Sequence, residues 1–164
     1  MELTDLSGSV RVVLHPVKYQ FESVVGDIWD DNWLIIEGDV DSGEAKWSFR
    51  DPSLVVDEAL EIANWLERVG TQLEAPTDVS DSAGIEPSLT FTEPNLAFSV
   101  RSYREDTAVI RVHFSLESLP PTRRGSEIDH FAEYAFRVEI EITLVDALRA
   151  AATWREELAA FPRR

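Results

Sequence analysis

A period-two alternation of apolar and polar residues recurs along the chain, and it restricts the fold more than any other feature. Ala108, Ile110, Val112, Phe114 and Leu116 fall on one face, with Arg111, His113, Ser115 and Glu117 on the other. Tyr134, Phe136, Val138, Ile140, Ile142 and Leu144 repeat the pattern against Arg137, Glu139, Glu141 and Thr143. Strands that alternate this long bury one face and wet the other, which predicts a mostly antiparallel sheet. Leu96, Phe98 and Val100 supply another strand. The turn signal Glu93-Pro94-Asn95, with Leu89 and Phe91 ahead of it, predicts a hairpin over residues 88–103. Near the start, Val10, Val12 and Leu14 alternate until His15-Pro16, where the phase resets to Val17, Tyr19 and Phe21. A proline inside a strand implies an edge or a bulge. Trp33 to Val40 and Ala45 to Phe49 form a further hairpin across Asp41-Ser42-Gly43.

Two segments switch to a helical period. Asp51-Pro52-Ser53 reads as a cap with proline in the first turn, followed by Val55, Ala59, Ile62, Leu66 and Val69 on one stripe. Asp57, Glu58 and Glu61 lie early, where the helix dipole favours acids, and Arg68 and Gly70 close the segment. Thr143 with Asp146 makes a start like a capping box. Leu144, Leu148, Ala151, Ala152, Leu158 and Ala159 follow before Phe161-Pro162 ends the pattern. The helices are thus predicted at residues 52–70 and 143–160. Residues 73–87 and 118–130 have no period and read as loops, the second with a basic tip at Arg123-Arg124. About seven strands and two helices, with no internal repeat, make residues 1–164 one α+β domain with helices on a mostly antiparallel sheet.

Composition bounds the partners. There are 31 Asp plus Glu against 15 Lys plus Arg, a formal net charge of −16. The bias is uneven: residues 1–70 hold 15 acids and 5 bases (−10), and residues 71–164 hold 16 and 10 (−6). Hydrophobic content of 44% is that of a globular chain, so acidity is not a sign of disorder. At 164 residues a fold buries roughly 70% of the unfolded surface. Such a field repels nucleic acid and anionic lipid and attracts basic partners. There is no cysteine, which excludes disulfides and thiolate chemistry. Met1-Glu2-Leu3-Thr4-Asp5 lacks the charged and apolar regions of a signal peptide, and no apolar run suits a membrane span. A cytoplasmic protein is expected.

Catalytic signatures are weak. Asp27, Asp30, Asp31, Glu37, Asp39, Asp41 and Glu44 form the densest acidic stretch. Converging carboxylates would suit Ca²⁺ or Mg²⁺, but Asp39-x-Asp41-x-Gly43 lacks the remaining ligands of a calcium loop, and a hairpin turn explains it equally. A paired-carboxylate hydrolase would need a defined separation in a cleft. His15, His113 and His130 are scattered, without metal-ligand spacing. No Gly-x-Ser-x-Gly elbow and no Gly-rich phosphate loop occurs. Nucleic-acid binding needs clustered bases, which are missing. Of the tryptophans, Trp47 belongs to a strand core and Trp65 to the helix–sheet seam. Trp29 and Trp33 instead flank Asp30-Asp31-Asn32, and aromatic anchors amid acids suit a hot spot for a basic protein.

Several short strings carry a family resemblance. They are Asp31-Asn32-Trp33-Leu34-Ile35-Ile36-Glu37-Gly38, Trp47 with Phe49, and Asn64-Trp65-Leu66. Phe91-x-Glu93-Pro94-Asn95-Leu96-x-Phe98 and the closing Phe161-Pro162-Arg163-Arg164 complete the set. Together they resemble the WapI family of bacterial immunity proteins, from about residue 10 to the C-terminus. The resemblance implies an antidote that binds the toxic C-terminal domain of a contact-dependent toxin, in the founding system one similar to a tRNA-cleaving nuclease. No enzyme activity, cofactor or metal is expected. The expected toxin-binding surface comprises Asp27, Trp29, Asp30, Asp31, Asp39, Asp41 and Glu44. Two rival readings are a small-molecule-binding or regulatory domain with a pocket between sheet and helices, and a metal-dependent hydrolase on the acidic stretch.

Overall fold

Alternating β-branched and aromatic residues draw the first third of the chain into an antiparallel sheet. In the computed structural model, which describes residues 1–77, 79–80, 84–124 and 134–164, this sheet has four strands in the order β1-β2-β3-β4. They are β1 (Glu2–Thr4), β2 (Arg11–Tyr19), β3 (Trp33–Asp41) and β4 (Lys46–Val55). Then come α1 (Val56–Gly70), the two-residue strands β5 (Val79–Ser80) and β6 (Gly84–Ile85), and a three-stranded antiparallel sheet. That sheet consists of β7 (Leu96–Arg104), β8 (Thr107–Phe114) and β9 (Arg137–Thr143), and α2 (Leu144–Leu158) follows it. The architecture is α+β, with two helices and seven strands in the two main sheets. His130 and parts of both predicted loops lie outside the described residues.

The alternation leaves open how the strands divide, and packing decides it. Trp47 and Phe49 of β4 meet Phe114 of β8 edge to face, with ring centroids 5.4 and 6.2 Å apart. Trp47 Nε1 donates to the Ser118 carbonyl at 2.8 Å. The Leu6 amide donates to the Glu141 carbonyl at 2.9 Å, joining the end of β1 to β9. Trp65 of α1 lies on Phe98 of β7 at 5.4 Å and donates to Ser88 Oγ, sealing helix to sheet as expected. Trp154 of α2 donates its Nε1–H to the Ala59 carbonyl of α1 at 2.6 Å. One cluster of buried side chains runs through both sheets and both helices. Each fully buried large side chain in it contributes roughly 1.5–3 kcal/mol.

Local chemistry accounts for the joints. The β2 ladder shifts register between Pro16 and Lys18, the predicted bulge. β1 pairs only with Arg11–Val13, so Pro16 lacks a neighbour on that side and its missing N–H costs nothing there. Gly43 takes φ +79 in the β3–β4 turn, a left-handed conformation that glycine adopts freely. The predicted hairpin before β7 is a single antiparallel bridge, Leu89 to Phe98, with both amides paired.

Three expectations need correction. First, α1 begins at Val56 rather than residue 52, because β4 continues through Pro52 to Val55. β4 is an edge strand, so it tolerates proline, and the ladder shifts opposite it between Leu34 and Ile35. The first turn is capped by Glu58, whose Oε2 accepts from the Val55 amide at 3.0 Å. Second, α2 runs from Leu144 to Leu158, two residues short of the predicted end, with Thr143 Oγ1 accepting from the Asp146 amide as expected. Third, the predicted wet face of β8 is dry: Arg111, His113 and Ser115 are buried, whereas Leu116 turns outward at φ +50.

Candidate functional site

The acids singled out in the sequence do not converge. Asp27, Trp29, Asp30 and Asp31 lie in the loop between β2 and β3, at the start of β3. Asp39, Asp41 and Glu44 lie at its other end and in the following turn. At ~3.3 Å per residue, nine residues of β3 separate the two groups by roughly 26 Å. Asp41 is also engaged, by Lys46 at 2.7 Å and by the Gly43 amide at 3.0 Å, which hold its carboxyl below the usual range. Asp39 and Glu44 are exposed. Among the described residues, no group of three or more His, Asp or Glu could hold a metal ion.

Asp31 faces inward. It is buried, and its two carboxylate oxygens accept from the amides of Val25 at 2.7 Å and Gly26 at 2.8 Å. The carboxylate therefore sets the path of the loop. Asp27 does the same from outside, accepting from the Trp29 and Asp30 amides at 2.8 and 3.0 Å. Those bonds, Asp30 first, hold its carboxyl below the ordinary range. Asn32, also buried, donates to the Ile28 carbonyl at 2.8 Å and accepts from the Arg164 amide at 2.9 Å. Arg164 in turn donates to the Phe21 carbonyl and stacks its guanidinium 3.4 Å above the Tyr19 ring. Tyr19 OH reaches the Pro162 carbonyl. The C-terminal residues thus clamp the base of the loop.

What this frame presents is apolar. Phe21, Val24, Val25, Ile28 and Trp29 are all exposed, Val25 by 70% and Trp29 by 55%. These make up five of the eleven large hydrophobic side chains exposed among the described residues. Behind Trp29 lies a cleft of about 90 Å³ lined by Ile28, Trp29, Asn32, Val55, Asp57 and Arg163. Sequence reading picked Trp29 but missed its apolar neighbours. The available signal was Val24-Val25 and Ile28-Trp29 within a stretch of no period, where core packing had no claim on them.

A second polar group lies inside the β7–β9 sheet. His113 Nδ1 faces the Tyr134 carbonyl at 2.7 Å and must donate to it, which leaves Nε2 to accept from Ser99 Oγ at 2.9 Å. Burial pushes the His113 pKa down to about 4, and the neighbouring cations Arg137 and Arg111 add to the shift. Arg111 donates to Glu139 at 3.2 Å and to the Thr77 carbonyl at 3.1 Å, and Glu139 also receives Arg101. Ser99 and His113 are both wholly buried, so this pair offers no seat to a substrate. It ties β7 to β8 and to Tyr134. His15, by contrast, sits on the surface with Nδ1 2.8 Å from Glu157.

Among the described residues, no helix is long and apolar enough to cross a membrane. The model of the Immunity protein WapI-like family matches residues 3–162. Neither a curated protein nor a solved structure matches the chain.

Proposed function

The chain belongs to the WapI-like immunity protein family, and on that premise we propose that it neutralises a cognate toxin domain by stoichiometric, non-catalytic binding in the cytoplasm. The match over residues 3–162 carries this reading, because it spans both sheets and both helices. The charge of −16 supports a basic partner. Enzymes that cut nucleic acid present basic surfaces to a polyanion, so an acidic antidote suits a nuclease toxin. The acids at both ends of β3 supply the attracting field, while Asp31 supports the loop from within. The test is co-expression with the toxin-like C-terminal domain encoded immediately upstream, scored by survival. We expect growth only when this chain is present. Cell death at equal expression of both proteins would overturn the reading.

A further inference from the structure

We infer that the Phe21–Trp29 loop is the surface that meets the toxin, receiving an aliphatic side chain in the cleft behind Trp29 and cationic side chains on its acidic rim. The inference rests on the immunity reading and narrows it to one of the two acidic regions. Two observations select this end, and a third supplies its charge.

First, exposed apolar side chains concentrate here, and clustered exposure of this kind marks an interaction site. Second, the loop is held in shape before any partner arrives. Buried Asp31 and Asn32, with Arg164 from the surface, fix its backbone, so little ordering entropy remains to be lost on binding. Third, the rim charge is uncompensated. Glu22, Asp27 and Asp30 make no ion pair among the described residues, as Asp39 and Glu44 at the other end make none, so the charge supplies the rim's attraction while the apolar cluster and the fixed loop choose between the ends.

The shape states the partner's chemistry. A cavity that takes benzene measures about 150 Å³. The cleft, at about 90 Å³, suits an aliphatic side chain, with the exposed Trp29 ring as its wall. Asp57, paired with Arg163 at 3.2 Å, closes the opposite side. A second copy of this chain fits poorly. It would bring its own Glu22, Asp27 and Asp30 against the same three carboxylates, and like charges facing each other oppose docking.

The experiment measures binding of the full chain to an inactivated form of the upstream-encoded toxin domain. Wild type is compared with a Trp29→Ala/Ile28→Ser variant and, at the rim, with Glu22→Lys/Asp30→Lys. We expect the first to weaken binding by 100-fold or more, mainly through faster dissociation. The second should slow association at least ten-fold. All four side chains are exposed, so melting temperatures should stay near wild type. Leu73→Ser, which removes an exposed apolar group elsewhere, should change nothing. Wild-type affinity in both loop variants would overturn the assigned surface and leave the immunity reading standing. Absence of wild-type binding, together with absence of rescue, would overturn both. A self-associated species that the loop variants abolish, with toxin binding intact, would assign the loop to a second copy and overturn the inference.

Discussion

His113 shows how far a residue's surroundings can depart from its place in a pattern. It alternates with apolar neighbours as a solvent-facing residue would, yet it is wholly buried and bonded at both ring nitrogens. Folding lowers its pKa from 6.5 to about 4, so the unfolded chain binds the extra proton. Its contribution is intact above pH 6.5 and is lost as pH falls through the window from 6.5 to 4. The expected loss is about 2 kcal/mol at pH 5. Carboxylates with lowered values, such as Glu2 at about 2, act only at lower pH. Urea unfolding between pH 7 and 5 should therefore show a falling midpoint, and His113→Gln should remove most of the slope. A wild-type midpoint flat across that range would contradict the assigned neutral state. The burial of His113 was not legible in the sequence, because period two reports two faces without saying what lies across either. Here Thr77 and Tyr134 reach the outer face from distant segments.

Elements were more legible than their limits. The stripe Val55, Ala59, Ile62, Leu66 and Val69 is buried as predicted, and Thr143 caps α2. The start of α1 was misread because Asp51-Pro52-Ser53 suits a first helical turn and an edge strand alike. Pairing of Ile35 with Pro52 and of Trp33 with Val55 decides for the strand. The helix pair is also a tertiary choice. Arg155 of α2 grips Glu67 of α1 with two bonds of 2.9 and 3.0 Å. Gly70 admits Leu148, since a Cβ there would lie 2.5 Å from Leu148 Cγ. Trp154 fills the seam and spends its N–H on Ala59. Trp154→Ala should cost about 3–5 kcal/mol, by cavity formation together with loss of the indole bond to the Ala59 carbonyl. Trp154→Phe should cost less, and the urea midpoints give the comparison. Equal, small losses would mean that the helices are held together elsewhere.

At the scale of the whole molecule, the proposed function divides between charge, which should govern encounter, and the apolar loop, which should govern residence. A field of −16 should speed association with a basic toxin and make the rate strongly dependent on salt. Raising ionic strength from about 0.05 M to about 0.5 M should slow association by roughly ten-fold while dissociation changes little. Stopped-flow mixing reads both, and an association rate indifferent to salt would remove charge from the encounter. By itself the sequence determined the α+β class, the turns, the helical stripes, the bulge at Pro16 and the sign of the field. These follow from neighbours a few residues apart, whose spacing alone selects a strand, a turn or a helix. The tertiary structure alone decided that Asp31 faces inward and that Arg164 clamps the loop on which Trp29 is displayed. The bond between Asn32 and Arg164 joins residues 132 positions apart, and no local period carries information over that distance.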